Sequence, residues 1–141
     1  MVENVVLSVK GSQSYADQEP EMIELVTDGT LEEVDGGWKL CYEESELTGL
    51  QGVRTTFLIQ KDLVTLTRTG RLNSEMIFRV GEPHDCLYQM EFGVLMLTVC
   101  ATRVDTNLTQ DGGTIDLRYS IEIEQNAAGI IEYHLEIQSK N

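Results

Sequence analysis

Apolar and polar residues alternate with a period of two through most of this chain. Ile115, Leu117, Tyr119, Ile121 and Ile123 alternate with Asp116, Arg118, Ser120, Glu122 and Glu124. After a turn read at Asn126 to Gly129, Ile131, Tyr133, Leu135 and Ile137 repeat the pattern. Successive strand side chains point to opposite faces, so each run predicts a half-buried antiparallel strand. A slip of one residue would put the isoleucines in water, which pins the register. Val5, Leu7 and Val9 form a first strand ending at Gly11, and Gly11 to Pro20 reads as polar and turn-like. Met22 to Thr27 is short and β-branched, which favours strand over helix. Asp28-Gly29 reads as a turn or bulge, Thr30 to Val34 as strand, and Asp35-Gly36-Gly37 as a tight hairpin.

Trp38, Leu40 and Tyr42 share one face of the next strand, and the same alternation carries Glu44 onto that face. Val53, Thr55, Phe57 and Ile59 point one way; Arg54, Thr56 and Leu58 point the other. After a turn at Lys61-Asp62, Val64, Leu66 and Arg68 share a face, and Met76, Phe78 and Val80 line a further strand. Gly81-Glu82-Pro83-His84-Asp85 reads as a loop, Cys86 to Met90 as strand, and Glu91-Phe92-Gly93 as a turn. Val94 to Thr106 is apolar on both faces at first, predicting a strand covered on both sides or strongly curled. Gln110-Asp111-Gly112-Gly113 signals another hairpin. No long helical periodicity, repeat or second domain is present. The pattern therefore predicts an all-β fold with a single domain over residues 1–141. A meander of about eight to ten strands must close or leave two bare edges, so a single antiparallel β-barrel is expected. A sandwich of two sheets shares the alternation and is the alternative.

Charge narrows the partners. With 24 acids against 10 bases the formal charge is −14, a field that repels phosphate backbones and anionic lipid. No Lys/Arg cluster interrupts it, so neither nucleic acid nor membrane is an expected partner. No apolar run has the length of a membrane span, and Met1 to Lys10 alternates like a strand rather than reading as a signal peptide. The expected location is the cytoplasm. The three cysteines, Cys41, Cys86 and Cys100, include no CxxC pair and read as reduced thiols. His84-Asp85-Cys86 offers three ligand types, but neighbouring strand residues diverge, and His134 lies opposite an apolar face. No metal, cofactor or catalytic residue is assigned.

Polar groups gather in Tyr42-Glu43-Glu44-Ser45-Glu46 and in Arg54-Thr55-Thr56. An inward Glu44 and an inward Arg68 near a barrel mouth would satisfy each other, since either alone would be costly to bury. One reading is an ion pair closing the barrel end, with Thr48 and Gly49 shaping the turn. The other is the polar end of a pocket, where Arg68 or Arg54 meets a carboxylate or phosphate and Thr56 adds a hydroxyl. The candidate ligand-binding residues are Glu44, Arg68, Arg54, Thr56, Tyr42, Trp38 and Tyr88. Tyr88, Phe92, Tyr119 and Tyr133 either fill the core and barrel ends or form an aromatic platform. The favoured function is a small-ligand-binding or sensing barrel without catalytic activity. Its mark is a cavity above roughly 300 Å³ reaching Arg68 or Glu44. The alternatives are a solid barrel acting through a partner or homodimer surface, for which the two-faced Val94–Ala101 run is the candidate, and an enzyme using Glu43, Glu44 and Glu46 as acid and base.

The segment Tyr42-Glu43-Glu44-Ser45-Glu46-Leu47-Thr48-Gly49 followed by Thr55-Thr56 resembles the YwiB-like bacterial family, the DUF1934 group. Arg68-Thr69-Gly70, Phe78 with Gly81, Leu87-Tyr88, Phe92-Gly93 and Gly112-Gly113 leading to Tyr119 follow in the family's order, so the resemblance spans nearly the whole chain. Arg68 matches the arginine of the family's Arg-x-Gly segment, and Phe92 stands where the family commonly has tyrosine. The resemblance implies a small antiparallel barrel similar to lipocalins and other calycins, in a cytoplasmic bacterial protein. It implies no activity, substrate or catalytic residue.

Overall fold

The computed structural model describes residues 2–15, 19–45 and 50–140. The strands are β1 (Val2–Tyr15), β2 (Glu21–Val34), β3 (Gly37–Glu43), β4 (Val53–Gln60), β5 (Leu63–Gly70), β6 (Leu72–Phe78), β7 (Pro83–Met90), β8 (Gly93–Thr109), β9 (Gly112–Ile123) and β10 (Asn126–Ser139). Each pairs antiparallel with the next, and β1 closes the ring against β10. The fold is thus all-β, a closed ten-stranded barrel, and the sandwich alternative falls. Closure removes the two edges that an open meander would present to other chains.

The alternation seen in the sequence becomes inside and outside. Val5, Leu7, Leu31, Leu40, Phe57, Val64, Leu66, Phe78, Ile115 and Leu135 are almost wholly buried, and Phe78 packs on Tyr119 with ring centroids 4.5 Å apart. These side chains make one continuous apolar core. An up-and-down meander sends its connections alternately to two ends. The β2–β3, β4–β5, β6–β7 and β8–β9 turns lie at the end that this core fills. The strands β1, β3, β5, β7 and β9 finish at the other end, which carries the polar groups described below.

Several local expectations change. β1 does not stop at Gly11 but pairs through to Tyr15, where polar Ser12 and Gln13 continue the wall. A Cβ at Gly11 would meet the Tyr133 ring at 3.2 Å, so the residue makes room for an aromatic. Asp28-Gly29 is no turn: both residues stay in an unbroken ladder with β1. A Cβ at Gly29 would lie 2.5 Å from the Cys41 carbonyl oxygen and 2.8 Å from Leu7 Cδ1, so this glycine serves close packing. Pro83, His84 and Asp85 belong to β7, with proline at the first strand position, where its missing N–H is tolerated. Val80 is exposed, because β6 ends at Phe78 and Arg79 bridges to Glu82 across the turn. The last turn lies at Glu124-Gln125, both at positive φ, and β10 begins at Asn126 with a bulge near Ala127.

The two-faced run in β8 splits. Leu97, Val99 and Ala101 face the core, whereas Val94 and Met96 face solvent. Outside, Met96 pairs with exposed Leu87, and Phe92 projects from the neighbouring turn at 87% exposure instead of filling the barrel. The three cysteines are free thiols. Burial, with a smaller contribution from Asp85, pushes the Cys86 thiol up, away from the reactive thiolate.

Candidate functional site

The polar groups at the open end are built by register. Tyr42 on β3 pairs with Thr55 on β4, Thr55 with Arg68 on β5, and Arg68 with Ser74 on β6. Directly opposed residues share a face, so four adjacent strands deliver one inward row. Glu44, just past the end of β3, joins it, held by a 2.8 Å bond from its N–H to the Val53 carbonyl. Glu44, Thr55, Arg68 and Ser74 are all buried.

The contacts within this group are unequal. Thr55 Oγ1 donates to Glu44 Oε2 at 2.5 Å, and the Tyr42 side chain lies beside this carboxylate. Arg68 Nη2 donates across the barrel to Tyr133 Oη at 3.2 Å. Its Nε lies 4.0 Å from Glu44 Oε2, close enough for charge pairing and too far for a hydrogen bond. Arg68 Nε and Ser74 Oγ are buried with no hydrogen-bond partner among the described residues. Burial alone would lower the basicity of Arg68, but the oxygens of Tyr133, Tyr119 and Tyr88 around it hold the guanidinium above its ordinary value. Tyr42 is pushed far up, first by burial and then by the Glu44 charge, so its phenol stays protonated.

Two spaces adjoin Arg68. One of about 70 Å³ lies among Tyr42, Glu44, Leu50, Tyr133 and the β1 backbone. The other, about 200 Å³, is lined by Arg68, Tyr88, Tyr119 and Tyr133 with a largely aliphatic wall that includes Leu95 and Leu97. Neither reaches the roughly 300 Å³ of a drug-sized pocket. A cavity of roughly 150 Å³ takes a benzene-sized molecule, so the larger space suits one ring and a small polar group. A concave surface of about 610 Å³ lies outside, across β8, β9, β10 and β1. Several of its charged groups pair with one another: Arg103 with Asp105, Arg118 with Glu132, and His134 with Asp116; Lys10 also lines it.

Of the candidates read from sequence, Glu44, Arg68, Tyr42 and Tyr88 converge here. Arg54 does not: it points outward and pairs with exposed Glu43 at 3.1 Å. Thr56 also faces outward, against Cys41 Sγ at 3.4 Å. Trp38 shares the inward face of Tyr42 but lies four residues away, about 13 Å along the strand. It sits beside Glu3, Leu31 and Gln110 at the filled end. The proposed acid–base cluster is divided, with Glu43 outside and Glu44 inside; Glu46, Thr48 and Gly49 lie outside the described residues. Among the described residues no group of three or more His, Cys, Asp or Glu side chains is placed to hold a metal.

Thr55 and Ser74 join the site without being among those candidates, and Tyr133, one of the aromatic set, serves as the hydrogen-bond partner of Arg68. For Thr55 the signal was present, since Phe57 and Ile59 mark its face as the inner one. Ser74 alternates with Met76 and Phe78 in the same way.

The fold is similar to the crystal structure of the ywiB protein from Bacillus subtilis, with a TM-score of 0.88 at 21% sequence identity. The match covers 99% of this chain and 94% of that one, and at this identity it establishes the fold alone. No curated protein matches the chain. The model of the domain of unknown function DUF1934 matches residues 7–137, and the chain belongs to that family.

Proposed function

We propose that the barrel binds one small molecule at its polar end, with Arg68 as the anchoring group. The observation that carries this reading is the buried Arg68 guanidinium, which lines a space of about 200 Å³ and donates a hydrogen bond to Tyr133. A guanidinium with few acceptors away from water is costly, and an oxygen entering the cavity would give it a further one. Sensing or carriage fits better than catalysis, because Glu44 is tied to Thr55 and its nearest acidic neighbour in sequence, Glu43, faces outward. A fragment screen by thermal shift tests the reading. Ring-sized fragments should stabilise the protein, and a Leu95→Trp change, which fills the cavity, should remove the effect. No stabilising fragment, or stabilisation that survives Leu95→Trp, would refute it.

Exposed Leu87, Phe92, Val94 and Met96 on the β7–β8 hairpin favour a second reading, self-association through this outer face. Sedimentation equilibrium tests it: a dimer that Met96→Glu dissociates supports the reading, and a monomer at all concentrations removes it.

A further inference from the structure

We infer that the molecule bound beside Arg68 is uncharged: a single ring or short apolar body carrying one neutral oxygen acceptor, such as an amide or ketone carbonyl. This deepens the binding reading above and rests on it. A lone arginine in an apolar barrel would call for an anion. Arg68 is not alone, because Glu44 Oε2 lies 4.0 Å from its Nε, and Thr55 hydrogen-bonds that carboxylate. The two charges already cancel. A bound carboxylate would leave an excess negative charge inside the wall of a protein whose formal charge is −14. It would also have to shed its hydration, a penalty that a buried ion recovers only with a dedicated counter-charge. A neutral carbonyl accepts from the guanidinium without bringing an ion to desolvate.

The remaining lining agrees. Beyond the guanidinium, the tyrosines and the neutral amide of Gln13, the cavity wall is apolar, with Met76, Leu95, Leu97 and Ile121 among its side chains. Among the described residues no second cation lines this space to receive an anionic group. The guanidinium and the apolar wall thus describe a molecule with one polar end and one apolar end, of about the size of a substituted benzene.

Benzamide and benzoate are matched probes, alike in ring and shape and different in charge. Each is titrated into the full chain at neutral pH and followed by calorimetry or ligand-observed NMR. Benzamide is expected to bind at least about tenfold more tightly than benzoate, a difference of about 1.4 kcal/mol. Leu95→Trp is expected to abolish benzamide binding while cooperative unfolding is kept; Ile123→Phe, on another part of the wall, replaces it if that variant does not fold. Benzoate binding as tightly as benzamide, or more tightly, would overturn the neutral-ligand inference and leave the binding reading standing. Failure of both probes would overturn the two together. Benzamide binding that is unchanged in the cavity-filled variant would place the probe elsewhere and overturn the inference.

Discussion

Replacing Arg68 by methionine tests the electrostatic core of the site. Methionine keeps much of the apolar stem and removes the guanidinium. At the observed 4.0 Å separation from Glu44, two unit charges at an effective dielectric of about 20 attract by about 4 kcal/mol. The hydrogen bond to Tyr133 is lost as well, worth about 1 kcal/mol. Against this, the cost of dehydrating the guanidinium disappears. The net follows the pattern of buried pairs broken on one side, a loss of about 3–5 kcal/mol. The loss arises mainly because Glu44 remains buried and charged with Thr55 to support it. Adding Glu44→Gln should reverse it. Glutamine keeps an oxygen acceptor for Thr55 and carries no charge, so the double variant is expected within about 1 kcal/mol of the parent. Urea unfolding of all four proteins supplies the cycle. The coupling expected between the two positions is at least about 2 kcal/mol, and larger by whatever Glu44→Gln costs alone. Arg68→Met unfolding within about 1 kcal/mol of the parent, or a double variant no more stable than the single, would refute the assignment of a buried, mutually dependent pair.

Other outcomes follow from the same geometry. Gly29→Ala forces a Cβ against the Cys41 carbonyl and Leu7, and should destabilise by about 1–3 kcal/mol in urea unfolding, although alanine is compatible with a strand. Tyr42 has a folded-state pKa raised by burial and by Glu44, so its contribution is complete below the unfolded value of about 10 and declines as the pH rises beyond it. Stability should therefore fall above pH about 10, and Tyr42→Phe should flatten that fall in pH-dependent denaturation. His134 is raised by its hydrogen bonds to Asp116 and Glu136. Its contribution is present below the unfolded value of about 6.5 and fades as the pH rises through the folded one, so His134→Gln should cost most near pH 6 and nothing well above neutrality. The group is half in solvent, and the difference should not exceed about 1 kcal/mol.

Period-two alternation made the wall legible, and with it the inward direction of Glu44 and Arg68. It also held the answer for Thr55, because Val53, Phe57 and Ile59 place that threonine inside and Thr56 outside. What alternation lacks is height along the barrel axis. Trp38 and Tyr42 look equivalent by face, yet one sits in the filled end and the other in the polar end. Height comes from cross-strand register, which is set jointly by turns and closure. Tyr133 reaches Arg68 only because β10 returns to close the ring on the far side. Gly29 shows a second limit: a glycine that permits a turn and a glycine that permits close packing look identical until the neighbours are known.

The inward polar row is not what makes the barrel stable. Buried ion pairs are commonly matched or exceeded in stability by well-packed apolar residues of similar volume. The filled end demonstrates that packing, with Val64 and Leu66 on the same face of β5 as Arg68 wholly buried. An aliphatic residue at position 68 would continue that column. The chain instead carries a guanidinium there, neutralises it with Glu44, and sets it against a largely apolar space. Neutralisation explains how the charge is tolerated; it does not account for a guanidinium lining that space. A double variant that folds as well as the parent and no longer takes up a carbonyl-bearing fragment would separate the two roles, assigning the row to recognition rather than to stability.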